Sequence, residues 1–128
     1  MWSLDKVRAV CLSLPETDEA LPFGPGTHVF RVAGKLFVLC DTGVVSINLK
    51  ADPDEIPLLR EQYPAVQPGY HMDKKHWNTI LLDDRLSDDQ IEGFIHDSYQ
   101  LVVKGLKKVD RERVQQTLTI QQSNNKTE

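Results

Sequence analysis

The sequence predicts an α+β fold, a two-layer sandwich in which helices cover one face of an antiparallel sheet. Two patterns predict it. Apolar residues recur at helical spacing near both ends of the chain, and short strand patterns joined by glycine-containing turns lie between them. The 128 residues, with 40% hydrophobic content, are enough for one core and too few for two ordinary domains. We therefore expect one domain over residues 1–106, followed by a C-terminal extension over 107–128.

The first helix is predicted from Leu4, Val7 and Cys11, which fall on one helical face, and Pro15 marks its end. The segment 15–26 contains prolines and glycines among three carboxylates. This composition disfavours regular structure, so we expect an ordered surface loop there.

Strands are predicted at 27–32, 35–41 and 44–50. They are joined by Ala33-Gly34 and Thr42-Gly43, where glycine supplies the positive φ that tight hairpins require. This pattern predicts an antiparallel meander. The second of these strands is apolar on both faces, which predicts that it lies in the centre of the sheet.

A second helix is predicted to begin at Asp52 as its cap, with Pro53 at the first helical position and Glu55 as the acid of a capping box. Pro64 ends this helix, and a further strand is predicted at 77–82. The element order is thus helix, three strands, helix, strand and helix.

The last long helix is predicted from a second capping box at 87–90. Beyond Gly105 the periodicity weakens, and one more short helix is expected around Val109, Val114 and Leu118, followed by a frayed polar tail. The predicted inner face of the long helix consists of Ile91, Phe94, Ile95, Ser98, Leu101 and Val102.

The composition limits the classes of function. Fifteen Lys and Arg residues face 19 Asp and Glu, for a net charge of −4, which argues against phosphate neutralisation over the whole surface but allows a local basic patch. The apolar runs are far shorter than the roughly 20 residues of a membrane span, so we expect a cytoplasmic protein without membrane contact. Cys11 and Cys40 are isolated, and we interpret both as reduced core residues.

The segment 67–79 is the densest in chemically versatile side chains. Lysines can contact phosphates, histidines can donate to them, and aromatic rings can stack on bases. A second basic cluster lies at the end of the long helix and just beyond it, and consists of Lys104, Lys107, Lys108, Arg111 and Arg113. The candidate DNA-binding residues are Tyr70, His71, Lys74, Lys75, His76, Trp77, Lys104, Lys107 and Lys108.

Each of these residues also has a structural explanation that stays open at this point. Trp77 at the start of a strand is typical of a core anchor. Lys74 and Lys75 fit a solvated turn before an edge strand. The C-terminal basic cluster can complement the carbonyl end of the long helix.

Catalytic and metal motifs are not indicated. His71 and His76 are five residues apart, unlike the i, i+4 pair of a zincin. The sequence Gly24-Pro25-Gly26 lacks the Lys-Ser/Thr of a phosphate loop, and Ser98 lies in mid-helix without a nucleophile elbow. We expect a non-enzymatic protein with no metal or cofactor, although an acid–base pair such as Glu16 with His71 stays open.

Several short segments resemble the MmcQ/YjbR family of small bacterial proteins, over roughly residues 4–106. The resemblance implies a fold similar to that of type III secretion chaperones. The matching segments are Leu12-Ser13-Leu14-Pro15-Glu16, the hairpin from Phe30 to Phe37, Val45 to Leu49, His71 to Trp77, and Ser98-Tyr99.

The same resemblance implies DNA binding, because the family is commonly labelled DNA-binding. Two small basic patches predict weak and largely non-specific affinity, with Kd of about 10⁻⁴ to 10⁻⁶ M. The alternative is an interaction module for another protein or a small ligand, with no role in nucleic-acid binding. We expect a monomer or a weak homodimer in either case.

Overall fold

The structure, a computed structural model, describes residues 2–69 and 73–126. The described part has an α+β fold, in which helices pack on an antiparallel sheet whose strands differ in length. Its elements are α1 (Leu4–Leu12), β1 (Thr17–Ala20), β2 (Thr27–Val32), β3 (Lys35–Asp41), β4 (Ser46–Lys50), α2 (Ile56–Gln62), β5 (Val66–Pro68), β6 (Trp77–Leu81), α3 (Asp88–Lys104) and α4 (Lys108–Lys126).

The six strands lie in the order β1-β2-β3-β4-β6-β5, and every neighbouring pair is antiparallel. The predicted fold class and the predicted meander are therefore confirmed. The second strand of the meander, β3, lies in the interior of the sheet, as its two apolar faces indicate.

The helices lie on one face of the sheet. Residues directly opposite each other on neighbouring strands point to the same face of the sheet. The strand register places one residue from each of five strands in such a row across the sheet. Helices α1 and α2 contact this side, because Arg8 bonds Glu19 and Arg60 bonds Asn78. Helix α3 packs against β3 and β4, with the ring centroids of Tyr99 and Phe37 5.4 Å apart. The row is Glu19, Phe30, Val38, Leu49 and Asn78.

A β-bulge fixes the position of α3 on the sheet. Phe30 lies opposite Val38 and Arg31 lies opposite Leu36, so Phe37 is an extra residue in β3. The Ser98 hydroxyl donates to the Phe37 carbonyl at 2.6 Å and accepts from the Lys50 amide at 2.8 Å. One buried side chain therefore joins α3 to two neighbouring strands.

The expectation of an irregular loop over 15–26 is wrong for its first part, because Thr17–Ala20 forms the edge strand β1. Its carboxylates have partners that composition alone does not show: Asp18 pairs with Arg31, and Glu19 pairs with Arg8. The short strand β5 was not predicted either. It pairs with β6 over only three residues at the other edge of the sheet.

Two local predictions around turns are wrong. Helix α2 begins at Ile56 rather than at Asp52, whose side chain instead accepts from the Asp54 amide in the turn ahead of the helix. Gly34 has the predicted positive φ of 83°, but Gly43 is not among the described residues with positive φ. The β3–β4 connection is a longer loop, because β4 begins at Ser46.

The capping box of α3 is confirmed, with Ser87 and Gln90 bonding each other's backbone. Its buried face also includes Tyr99 and Val103, whereas Phe94 and Leu101 are only half-buried. Helix α4 extends over 19 residues and is not the expected short helix.

Helix α4 is held by contacts with the core and with the connection between α1 and β1. Val114 is fully buried and Leu118 packs partly against the core, whereas Val109 is 74% exposed. Arg113 pairs with Glu16 at 2.7 Å, which holds the helix against the connection between α1 and β1.

The core contains two further features at the level of single residues. Trp2 is buried and donates to Asp88 at 2.9 Å, which joins the chain start to α3. Cys11 and Cys40 are buried free thiols, as predicted. No helix within the described ranges is long and apolar enough to cross a membrane.

Candidate functional site

Strand direction brings separated lysines to one end of the sheet. In an antiparallel sheet, alternate strands begin where their neighbours end. Lys35 is the first residue of β3 and Lys50 is the last of β4, while β6 begins at Trp77, opposite Lys50. The Ala51 amide donates to the His76 carbonyl at 3.0 Å, which attaches the turn before β6 to the same end.

The C-terminus of α3 reaches this end too. Lys104 lines a cleft together with Lys50, and Lys35 and Lys50 line a second, adjoining cleft beside Gly105. Lys107 and Lys108 are exposed and follow Lys104 by three and four residues. The group Lys35, Lys50, Lys74, Lys75, Lys104, Lys107 and Lys108 is called the lysine end below.

Asp73 organises the turn 73–77, called the entry turn below. Its backbone carbonyl accepts from the His76 and Trp77 amides. Its side chain accepts from the Lys75 amide at 3.0 Å and bonds His76 Nδ1 at 2.7 Å. The His76 contact, followed by the Lys75 amide, lowers the pKa of the Asp73 carboxyl. Asp73 therefore stays ionised and partly offsets the positive charge of the turn.

Arg60 of α2 clamps the entry turn from inside the fold. Its guanidinium donates to the Lys74 carbonyl at 2.6 Å, to the Trp77 carbonyl at 3.3 Å and to Asn78 Oδ1 at 3.0 Å. The two bonds to the turn use backbone oxygens, so they do not engage the lysine side chains. Lys74 Nζ makes a 3.3 Å contact to the Gly69 carbonyl, and Lys75 is exposed.

The structure brings together only some of the residues predicted as a site in the polar segment. Lys74, Lys75, His76 and Trp77 come together in the entry turn, whereas Tyr70 and His71 lie outside the described residues. Trp77 is half-buried and is not in the main hydrophobic cluster described for this chain. The role of core anchor with a hydrogen-bonded indole belongs to Trp2.

The charge balance separates the lysines from the arginines. Arg8, Arg31, Arg85 and Arg113 each form an ion pair with a carboxylate. Within the described residues, Lys6 is the only lysine that forms an ion pair. No lysine of the lysine end therefore has a described carboxylate oxygen within 4.0 Å. Their positive charges are consequently available to an external anion.

The predicted C-terminal basic cluster is weaker than its sequence indicates. Arg113 is bound by both Glu16 and Asp110, and this pairing raises the pKa of the Arg113 guanidinium. Glu16 is thereby committed to Arg113, and His71, its suggested acid–base partner, lies outside the described residues.

Sequence reasoning missed Lys35, Lys50, Arg60 and Asp73. The first two had a usable signal, because a lysine that begins one strand and a lysine that ends the next lie at the same end of a meander. Arg60 and Asp73 act through backbone atoms of a turn, and neither residue type nor spacing predicts such contacts.

A chain of polar contacts centred on the buried His28 lies at the opposite end of the sheet. His28 joins Glu19 at 2.7 Å to Thr42 at 2.9 Å, and Glu19 also holds Arg8. The bond from Arg8, assisted by His28, lowers the pKa of the Glu19 carboxyl against the opposing effect of burial. This chain connects α1, β1, β2 and the end of β3, and its members are too far apart in sequence to be recognised as a group.

The serine considered above as a nucleophile is engaged in the fold. The Ser98 hydroxyl is fully buried and occupied by two backbone groups. The described part of the chain holds no group of three or more His, Cys, Asp or Glu side chains placed to bind a metal ion.

The fold is a small α+β fold of a type seen in solved bacterial structures. A Deinococcus radiodurans protein with a DUF419 domain superposes with a TM-score of 0.81 at 34% identity, covering 89% of this chain and 88% of that one. A protein from Pseudomonas syringae superposes with a TM-score of 0.67 at 28% identity, covering 78% and 98%.

Sequence comparison defines the family. The chain is 41% identical over 112 residues to the uncharacterized protein YbdF of Escherichia coli O157:H7, covering 86% of this chain and 92% of that one. It is 38% identical over 111 residues to the uncharacterized protein YjbR of Escherichia coli K12, covering 85% and 94%. The YjbR family model matches residues 12–101. The chain belongs to the YjbR family.

Proposed function

We propose that this chain binds DNA weakly and without sequence preference, through phosphate contacts made by the lysine end. The observation that carries the proposal is the convergence of these lysines at one end of the sheet without carboxylate partners among the described residues. In this proposal the protein acts in the cytoplasm by binding alone, as a monomer or a weak homodimer, without a catalytic step or a cofactor.

The type of cation favours non-specific contact. Lysine is a flexible point charge that meets phosphates, whereas sequence recognition uses bidentate arginine or amide side chains on base edges. The ion-paired arginines are committed to carboxylates of the fold. Affinity therefore comes from counterion release, which gives Kd of about 10⁻⁴ to 10⁻⁶ M at physiological salt.

The remaining charge orients the protein on the polyanion. The chain carries −4 overall, while the lysine end is locally positive. A surface of this kind is attracted at one end and repelled over the rest. His76 and the half-buried Trp77 lie beside the lysines, where an imidazole can donate to a phosphate and an indole can contact a base.

The test is fluorescence anisotropy with a labelled generic duplex at low salt, repeated over a salt series. The Lys74→Ala/Lys75→Ala double variant should bind more weakly, and its log–log salt slope should fall by about 1 for each lost phosphate contact. Lys6→Ala is the matched control, because Lys6 pairs with Asp88 away from the lysine end. No binding by the wild-type chain at low salt would refute the proposal, as would equal affinity of the double variant.

A further inference from the structure

A cleft of about 260 Å³ opens between the beginning of α2 and the second half of α3. Leu59, Phe94 and Leu101 supply apolar surface, and all three are half-buried. Small-molecule sites combine apolar walls with a few polar groups, and their volumes begin at about 300 Å³ for drug-sized ligands. The cleft is therefore suited to a smaller molecule.

Charges of both signs line this cleft without pairing with each other. Glu55 and Asp97 contribute carboxylates, and Lys50 and Lys104 are the basic residues. None of the four forms an ion pair within the part of the chain that the structure describes. Asp52 also lines the cleft, but its carboxylate accepts from the Asp54 amide.

The wall formed by α3 has an ordered pattern. Phe94, Asp97, Leu101 and Lys104 follow one another at spacings of three, four and three residues, so they form one stripe along the helix. Asp97 and Lys104 are two turns apart, a rise of about 10 Å along the axis. An anionic position and a cationic position are thus separated by the apolar side chain of Leu101.

We propose that this cleft binds a small zwitterion whose ammonium and carboxylate groups are separated by a short apolar chain, as in a dipeptide or an ω-amino acid. The ammonium contacts Asp97 and Glu55 beside the ring of Phe94, where cation–π attraction adds to the ion pairs. The carboxylate contacts Lys104 and Lys50, and the apolar chain lies along Leu101.

Charge complementarity selects this ligand over singly charged ones. Three carboxylates, those of Asp52, Glu55 and Asp97, and two ammonium groups line the cleft, and a ligand with one charge leaves the groups at the other end of the cleft without a partner. Glu55, Asp97 and Lys104 are exposed, so water screens each ion pair with the ligand and reduces its contribution. A ligand that lacks one charge loses the pairs with two groups and should therefore bind roughly two- to thirtyfold more weakly.

The experiment uses 6-aminohexanoate as the probe, with hexanoate and hexylamine as singly charged controls. Each is titrated into the ¹⁵N-labelled full chain, and amide chemical shifts are followed by NMR. We expect saturable shifts at the start of α2 and along the cleft stripe of α3, with Kd in the millimolar range, and roughly two- to thirtyfold weaker binding of both controls. No saturation by 6-aminohexanoate, or equal binding of all three compounds, would overturn the inference.

Variants with matched controls locate the site. Asp97→Asn and Lys104→Gln should each weaken 6-aminohexanoate binding, by up to roughly fivefold. Asp89→Asn and Lys6→Gln remove charges outside the cleft and should leave 6-aminohexanoate binding unchanged. Unchanged binding by Asp97→Asn would contradict the proposed ammonium position.

This inference does not rest on DNA binding, although Lys50 and Lys104 belong to both surfaces. Asp97→Asn separates the two proposals, because it removes a contact to the zwitterion but no contact to a phosphate. A variant that loses 6-aminohexanoate and retains DNA supports the cleft. DNA binding without any saturable zwitterion binding leaves the proposed function standing and removes this inference.

Discussion

Replacing Ser98 by alanine tests the main structural connection between the helical layer and the sheet. The hydroxyl is fully buried, donates to the Phe37 carbonyl at 2.6 Å and accepts from the Lys50 amide at 2.8 Å. Phe37 and Lys50 are adjacent to Val38 and Leu49, the last paired residues at this end of β3 and β4, so the hydroxyl bridges two backbone groups where that ladder ends. Alanine would leave both backbone groups without this partner.

The expected loss of unfolding free energy is about 2–4 kcal/mol. A buried polar group without a hydrogen bond costs about 1–3 kcal/mol, two groups are affected, and Lys50 lies at a strand end where water can partly replace the bond. An unfolding entropy of about 2.1 cal/mol/K per residue converts this loss to a fall in Tm of about 7–15 °C. Urea unfolding followed by circular dichroism measures the free energy, and a thermal scan measures Tm.

Ser13→Ala is the matched control. Its hydroxyl also donates to a backbone carbonyl, that of Val10 at 2.7 Å, but Ser13 is exposed and water can take over this bond. The control should change the unfolding free energy by no more than about 0.5 kcal/mol. If Ser98→Ala loses no more unfolding free energy than Ser13→Ala, the buried hydroxyl does not stabilise the connection between α3 and the sheet.

Three further predictions concern the thiols, the acid limb of stability and the entry turn. Burial raises the pKa of Cys40 to about 12 and also raises the pKa of Cys11, so iodoacetamide at pH 8 should label neither thiol until urea unfolds the chain; rapid labelling of the native protein would contradict this. The pKa of Glu19 is lowered in the folded state, chiefly by Arg8, so its contribution is present above the unfolded value of about 4.3 and is lost as pH falls through the folded value. Glu19→Gln should therefore be less stable at neutral pH and lose less on acidification, as measured by urea midpoints over pH, and a parallel pair of curves would exclude this role. Arg60→Ala removes the donors to the entry turn and should accelerate amide hydrogen exchange there while leaving α3 unchanged; unchanged exchange in the turn would show that Asp73 alone suffices.

Elements specified by local signals were predictable from the sequence. The capping box of α3 acts within four residues, and Gly34 supplies a positive φ within a two-residue turn. The strands flanking that turn carry their own apolar patterns. These signals do not depend on where distant parts of the chain lie.

Elements that depend on distant partners were not predictable in the same way. Thr17–Ala20 contains two acidic residues in four, and it becomes a strand because β2, Arg8 and Arg31 supply partners. Val66–Pro68 has too few residues to show a periodicity. Trp2 is buried because the first turn of α3 passes beside it and offers Asp88 as an acceptor.

The candidate site shows the same division. Lys74 and Lys75 were identified because they are adjacent in a conspicuous segment, whereas Lys35 and Lys50 are single lysines in ordinary strands. Only the strand pairing shows that all four share one end of the sheet. Sequence clustering therefore underestimates a site that the topology assembles from single residues.

The two proposed binding surfaces should depend to different degrees on the hydroxyl of Ser98. It fixes α3 on the Lys50 amide about two turns before Lys104, so the cleft between α2 and α3 depends on this bond. Flexible lysine side chains on the surface can still reach phosphates when a helix shifts slightly, whereas a small cleft needs fixed walls. A Ser98→Ala chain that remains folded at low temperature should therefore keep its DNA affinity and its salt slope but lose most of its 6-aminohexanoate affinity. Anisotropy and NMR titration on the same sample would measure both, and loss of both in parallel would indicate general unfolding of the lysine end rather than a loss confined to the cleft.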